Sequence, residues 1–428
     1  MTFSGEGSGT RFSLIEIVLG LSSAVDLVDP ALADHHARVA CLAHQMAVEM
    51  GLDERAESNL VWAGLLHDIG AFSLKERLEF LRFDIGDGDT HAEVGYRLVR
   101  GFKPFDEASH VIRYHHSRWE DGRGTDGVDR EVPLGSHILH LADRISVIMG
   151  KEDAVLGRVG RIVEQIVSRS GEIFNPDVVE AFRGASTREA FWLEATYPAI
   201  NQVLEQRARS VAIDLTMEDL TELAKLFCRI IDFRSSFTAT HSNGVAAVAK
   251  RLALLMGVEG SEATMMMIAG YLHDLGKLAV PLEILEKPAP LTLDERNTMR
   301  KHPYLTYRLL SQIKGLERIN AWAAHHHECP DGAGYPFRIK GDNLSLGARI
   351  VTVADVFTAL AEDRPYRPAF SGDAARWLLR ELSESGKMDP SVVRLVNDNF
   401  DEVNSTRIAV QEIAVEEYRR FRGAGPRD

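Results

Sequence analysis

The chain has 428 residues, enough for two domains that each bury a core of their own. With 45% hydrophobic, 26% charged and 7% aromatic residues, its composition is that of a helix-rich globular protein and excludes a disordered or fibrous one. A net charge of −14 excludes a general binder of polymeric nucleic acid, whose phosphates are held by dense Lys and Arg.

Residues 1–10, MTFSGEGSGT, read as a mobile tail. The apolar run FSLIEIVLGLSSAVDLV that follows carries Glu16 and Asp26 and lacks a basic leader, so neither a membrane span nor an export signal is expected. The three cysteines, Cys41, Cys228 and Cys329, form no CxxC pair, which argues against a thiolate metal site and for a reducing, cytoplasmic setting. From residue 35 the chain reads HHARVACLAHQMAVEMGL, then AGLLHDIGAF at 63, HAEVGYRLV at 91, RYHHSRWEDGRG at 113, HLADRISVI at 140 and FNPDVVEAF at 174. The same order returns later as HSNGVAAVAKRLALLMGV at 241, AGYLHDLGKL at 269, HPYLTYRLL at 302, AHHHECPDGAGYP at 324, TVADVFTAL at 352 and KMDPSVVRLV at 387. His35 to His67 and His241 to His273 both span 32 residues, and His91 to His115 and His302 to His326 both span 24. A repeat of that length predicts a duplicated fold, with a short insertion around EKPAPLTLDE in the second copy.

Apolar residues recur at helical spacing, as in VAAVAKRLALLM, and no useful period-2 alternation is present. The expected fold is all-α: two tandem helical domains of five to seven helices each, over residues 11–205 and 206–428, joined near residues 200–212. Ten of the 16 histidines occupy paired positions of the copies: His35, His67, His91, His115 and His116, then His241, His273, His302, His326 and His327. Each copy adds two aspartates, Asp68 and Asp143 or Asp274 and Asp355. Imidazole and carboxylate without thiolate suit iron, manganese, zinc or nickel, and seven donors exceed the needs of one ion. Two ions with the His-adjacent Asp between them are expected in each such set. Histidines without a partner in the repeat, namely His36, His44, His110, His137, His140 and His325, are left out of the sites.

Residues 232–370 resemble the HD-GYP family, HD-superfamily phosphodiesterases of bacterial cyclic dinucleotides. The likeness rests on FTATHSNGV, HDLGKLAVPLEILEKP, KHP, HHECPDGAGYP, LGARIVTVAD and DRPYRPA in that order. Residues 30–182 resemble a second HD domain that lacks the GYP signature. The resemblance implies that His241, His273, Asp274, His302, His326, His327 and Asp355 are metal ligands and that Lys277 meets the scissile phosphate. It implies a signature loop of Gly334, Tyr335 and Pro336, and contacts from Arg364 and Arg367 to an anionic ligand. Phe237 stands where family members with a third metal have Glu, so a dinuclear centre is expected, iron or manganese first, zinc or nickel next. Thr358 replaces a second Asp of the family, and Cys329 and Pro330 replace its tryptophan-containing run.

The expected reaction is attack of a metal-bridging hydroxide on a 3′–5′ phosphodiester, with Asp274 between the ions and Lys277 neutralising a nonbridging oxygen. Cyclic di-GMP is the first candidate substrate and 3′,3′-cyclic GMP-AMP the second. The matched set His35, His67, Asp68, His91, His115, His116 and Asp143 implies a further metal site in the first domain. Ala71 there replaces Lys277, so that copy is expected to be weak, differently specific or regulatory. Alternatives are hydrolysis of other nucleotides and a non-catalytic nucleotide-binding regulator. The partner expected is the cyclic dinucleotide; a homodimer or a signalling protein stays open.

Overall fold

A computed structural model describes residues 11–27, 29–72, 89–120, 132–150, 155–207, 213–235, 239–363 and 367–423. The tail expected over residues 1–10, and Arg364 and Phe237, lie outside these residues. The fold is all-α. Among the described residues the strands are β1 (Phe12–Ser13) and β2 (Asp214–Leu215), paired antiparallel. The chain divides into two compact units, residues 15–213 and residues 214–423, and β1 adds residues 11–14 to the second. No helix among the described residues is long and apolar enough to cross a membrane.

In the N-terminal unit the helices that matter for the site are α1 (Leu14–Asp26), α2 (His35–Glu49), α3 (Glu54–Leu66), α4 (Asp89–Val99), α5 (Asp106–Arg113) and α6 (Leu134–Met149). Helix α2 is buried from His35 to Ala47, because α3 and α6 pack along it. Helix α3 starts where the Asp53 carboxylate accepts the amide of Ala56 at 2.9 Å, and Glu54 and Glu57 in its first turn face the positive end of the helix dipole.

The C-terminal unit repeats the plan with α7 (Met217–Asp232), α8 (His241–Leu255), α9 (Gly260–Leu272), α10 (His302–Leu310), α11 (Glu317–Ala324), α12 (Leu346–Leu360) and α13 (Phe400–Gly423). Helix α7 opens with a reciprocal cap in which Thr216 Oγ1 accepts the Asp219 amide and Asp219 accepts the Thr216 amide, at 3.2 and 3.0 Å. Helix α8 is central, against α9, α12 and α13. This unit has eleven α-helices among the described residues, more than the five to seven expected. The surplus includes one-turn and two-turn pieces such as Leu282–Leu285 and Leu293–Met299, too short to show an amphipathic period.

The His-Asp pairs do not lie inside a helix as the apolar run suggests. Helices α3 and α9 end at Leu66 and Leu272, His67 and His273 occupy the C-cap position, and the aspartates follow in a turn. The chain must leave the helix here because the next glycine touches another backbone. A Cβ on Gly276 would lie 2.0 Å from the carbonyl oxygen of His302, and one on Gly70 2.1 Å from that of His91. Glycine therefore brings the His-Asp turn against the helix that carries the third histidine.

Gly276→Ala should force α10 away from this turn. A loss of about 1–3 kcal/mol of stability is expected for such overpacking, read as a lower melting temperature and reduced metal retention.

Candidate metal centres

In the C-terminal unit the seven expected ligands converge from five segments. His241 and His302 are the first residues of α8 and α10, His273 caps α9, and Asp274 sits in the turn after it. His326 and His327 follow α11, and Asp355 projects from α12. Ligand atoms of His241, His273 and Asp355 lie within 4.8 Å of one another, as do those of His302, His326 and His327. Asp274 joins the two groups, with Oδ2 3.1 Å from His273 Nε2 and Oδ1 3.3 Å from His302 Nε2.

The last carbonyls of a helix have no intrahelical donor. Three of them take the Nδ1–H of a ligand histidine three residues on: Gly270 from His273 at 2.8 Å, Met299 from His302 at 2.8 Å and Ala323 from His326 at 2.6 Å. That fixes the tautomer and turns each Nε2 lone pair inward. His302 Nε2 and His326 Nε2 stand 3.2 Å apart, both as acceptors. Protonation does not relieve this contact, since burial pushes His302 down to about 3 and His326 well below its ordinary value. Two lone pairs face to face in a dry site, beside a carboxylate, fit a divalent cation between them.

The carboxylates are charged. Burial opposes ionisation of Asp274, yet His273 and Lys277 hold its pKa well below the ordinary value. Burial likewise opposes ionisation of Asp355, and the hydrogen bond from His241 with the nearby His273 pulls it down. His273 is itself raised, because Asp274 and Asp355 outweigh its burial. Burial lowers His327.

Lys277 Nζ is 2.6 Å from Asp274 Oδ2, in the short turn Leu275–Ala279. The buried Arg234 braces that turn through the carbonyls of Lys277 at 2.8 Å and Val280 at 2.9 Å. The Tyr335 ring stacks on His327 at 4.9 Å, and the Arg300 guanidinium lies over the Tyr335 ring at 4.0 Å. The Gly334–Pro336 loop is anchored by fully buried Glu328, which accepts the amides of Phe337, Arg338 and Ile339 at 2.6, 3.1 and 3.0 Å. Gly334 is obligatory there, since a Cβ would lie 2.4 Å from the Cys329 nitrogen. Arg367 donates to the carbonyls of Ala359 at 2.6 Å and Pro368 at 3.2 Å, with its guanidinium over Phe370. Arg364 lies outside the described residues.

The N-terminal unit builds the same constellation. His35, His67 and Asp143 form one group and Asp68, His91, His115 and His116 another, each with ligand atoms within 4.8 Å. Asp68 again bridges, at 3.4 Å from His67 Nε2 and 3.2 Å from His91 Nε2. His67 and His115 donate Nδ1–H to Gly64 and Ile112 at 2.9 and 2.7 Å. Burial holds His67 down to about 3, and its Nε2 is a buried atom without a hydrogen-bond partner. Ala71 is fully buried at the position of Lys277.

Several residues escape the sequence reading. Glu362 accepts from His241 Nδ1 at 2.9 Å and is held in turn by Gln411 of α13. Asp232 accepts the amide and hydroxyl of Ser242 at 3.0 and 2.9 Å, next to His241, and burial raises it to about 6. Its counterpart Asp26 pairs with His36, whose ring lies 4.9 Å from that of His67. His36 and His140, left out on sequence, thus lie against the N-terminal centre, His140 with its ring 6.1 Å from that of His116. His44, His110, His137 and His325 pair elsewhere, with Glu57, Tyr96, Trp119 and Phe337. A signal for the two aspartates existed, since each stands nine residues before the first ligand histidine.

HD-domain family profiles match residues 32–148 and residues 225–392. The chain carries two HD domains. As a tandem HD protein it is homologous along most of its length to two Vibrio cholerae proteins. One, 3′3′-cGAMP-specific phosphodiesterase 1, is 28% identical over 91% of this chain and 92% of its own. The other, 3′3′-cGAMP-specific phosphodiesterase 3, is 26% identical over 86% and 91%. The cyclic di-GMP phosphodiesterase response regulator RpfG of Xanthomonas campestris is 39% identical over 40% of this chain and 46% of its own. The crystal structure of the cyclic GMP-AMP specific phosphodiesterase V-cGAP3 of V. cholerae shares the tandem HD fold, with a TM-score of 0.63 at 23% identity over 92% of this chain and 98% of that one.

In metal-free protein, the depressed His302 and His67 give stability that is full above pH 6.5. There the unfolded chain is also neutral, and stability falls as pH drops from 6.5 toward 3, where only the unfolded chain takes up protons. Denaturant midpoints measured in chelator should decline over that window, and His302→Gln should flatten the decline.

Proposed function

We propose that the chain is a metal-dependent phosphodiesterase that opens a bacterial cyclic dinucleotide in its C-terminal HD domain. The observation that carries this reading is the bridged pair of ligand groups around Asp274 with Lys277 beside it. Two relatives that span the chain are both named for 3′3′-cyclic GMP-AMP, which supports taking that substrate first and cyclic di-GMP, named for a partial relative, second. The domains are taken as 11–205 and 206–428, and three cysteines free of disulfides accord with a cytoplasmic enzyme.

His241, His273, Asp274 and Asp355 would hold one divalent ion, and Asp274, His302, His326 and His327 the other, with iron or manganese favoured over zinc and nickel. Such ions supply a water ionised near neutral pH and Lewis-acid stabilisation of the phosphoryl group. The chain does the rest. Asp274 faces both groups and keeps them at one spacing. Lys277, 21% exposed, is free to turn its ammonium from Asp274 to a nonbridging phosphate oxygen. Tyr335 stacks on the ligand His327 and carries the Arg300 guanidinium over its ring, and Arg300 adds a positive charge for a phosphate. Arg364 and Arg367 are proposed as contacts to the anionic ligand.

Purified protein loaded anaerobically with Mn(II) or Fe(II) should linearise 3′3′-cyclic GMP-AMP, followed by chromatography of the products. His273→Ala/Asp274→Ala should abolish turnover and metal binding in this domain, while His67→Ala/Asp68→Ala should leave turnover in place. Lys277→Ala should lower kcat by about 100- to 1,000-fold, the range for loss of one preorganised charge donor. Absence of turnover on both dinucleotides in metal-loaded protein would defeat the proposal.

A further inference from the structure

The two centres share their ligands and differ in what stands behind them. In the C-terminal unit His241 lies between two carboxylates, Asp355 at 3.1 Å from Nε2 and Glu362 at 2.9 Å from Nδ1. In the N-terminal unit His35 Nε2 meets Asp143 at 3.3 Å, but Nδ1 meets the neutral hydroxyl of Ser146 at 3.1 Å. The residue aligned with Glu362 is Gly150, just past the end of α6.

Asp143 is also engaged from its other side. Its Oδ2 accepts from the guanidinium of Arg144 at 2.5 Å, and Arg144 is only 2% exposed. The residue aligned with Arg144 is the apolar Val356. A guanidinium keeps its proton inside a protein, so this charge is permanent. Beside His35 and Asp143 there is therefore one carboxylate fewer and one cation more than beside His241 and Asp355, whereas the cation of the C-terminal centre, Lys277, stands on the bridging Asp274. That is a difference of two elementary charges at this one ligand pair, in a dry environment where charges interact strongly. The other group, Asp68, His91, His115 and His116, keeps four donors, and Asp68 supplies its carboxylate.

We infer that the N-terminal centre is a one-ion site at Asp68, His91, His115 and His116, and that Arg144 excludes the second ion which the C-terminal centre accepts. Arg144 takes the place of that ion: it neutralises Asp143 and holds it against His35. The N-terminal domain then binds a cation without the paired-ion arrangement needed to open a phosphodiester. The inference rests on the reading of both clusters as metal centres.

The test uses the full chain, stripped with chelator, reloaded with Mn(II) without oxygen, and counted by plasma mass spectrometry after gel filtration. Wild type should retain three ions and His273→Ala/Asp274→Ala one. In that background Arg144→Met, which keeps the side-chain volume, should retain two. Ser146→Glu, which returns a carboxylate to His35 and leaves Arg144 alone, should tighten a second ion by about 10- to 100-fold, the scale of partners behind metal ligands. Circular dichroism establishes that each variant is folded; should Arg144→Met not fold, the background count and Ser146→Glu decide. Two ions in the background with Arg144 intact would overturn the inference and leave the N-terminal cluster a metal centre. One ion in both folded variants would overturn the role of Arg144. No ion at all would overturn the metal reading of this cluster together with the inference.

Discussion

A neutral imidazole has a single N–H, and this protein assigns it to helix ends. Gly64, Ile112, Gly270, Met299 and Ala323 offer carbonyls near a helix terminus, and each takes the Nδ1 proton of the histidine three residues later. Every ring so held must present its lone pair to the interior. The placement of the aspartates, the depth of burial and the glycine that lets the turn approach the next helix all follow from the need to make those inward lone pairs tolerable. A buried array of acceptors without donors is unfavourable unless a cation is shared among them.

Because the scaffold is duplicated, the chain contains its own comparison. The ligand sets superpose in kind and order, and the differences lie one layer out: Lys277 against Ala71, Glu362 against Gly150, Val356 against Arg144. Each exchange moves charge without moving a ligand. Such a layer decides how many ions a fixed donor set retains and whether a phosphate is met by an ammonium, so one fold can serve two duties within one polypeptide.

Much of this was legible in the amino-acid order, for a physical reason. Spacings such as His35 to His67 are covalent facts that a duplicated fold must preserve, so the paired histidines and aspartates could be read directly. The helical class was equally visible, as amphipathic periods survive in the long helices. Helix ends were less so: nothing in AGYLHDLGKL reveals that His273 is already a cap residue, because the cause is contact between Gly276 and His302, far along the chain. Glu362, Arg234 and Arg300 carry no motif and no copy in the first half, and only packing brings them to the centre. Arg367 shows the opposite limit, a motif residue whose bonds to the nearby carbonyls of Ala359 and Pro368 the motif does not reveal.

The bond between Gln411 and Glu362 has a temporal meaning. Gln411 belongs to α13 and also donates to the carbonyl of Thr240, immediately before His241, at 3.2 Å. On the ribosome, the N-terminal centre has all its ligands and its Ser146 partner once α6 has emerged. The C-terminal centre lacks the amide that braces its first histidine until α13 is made, long after Asp355, its last ligand. The two centres therefore mature in sequence, and the one assigned to catalysis is assembled last.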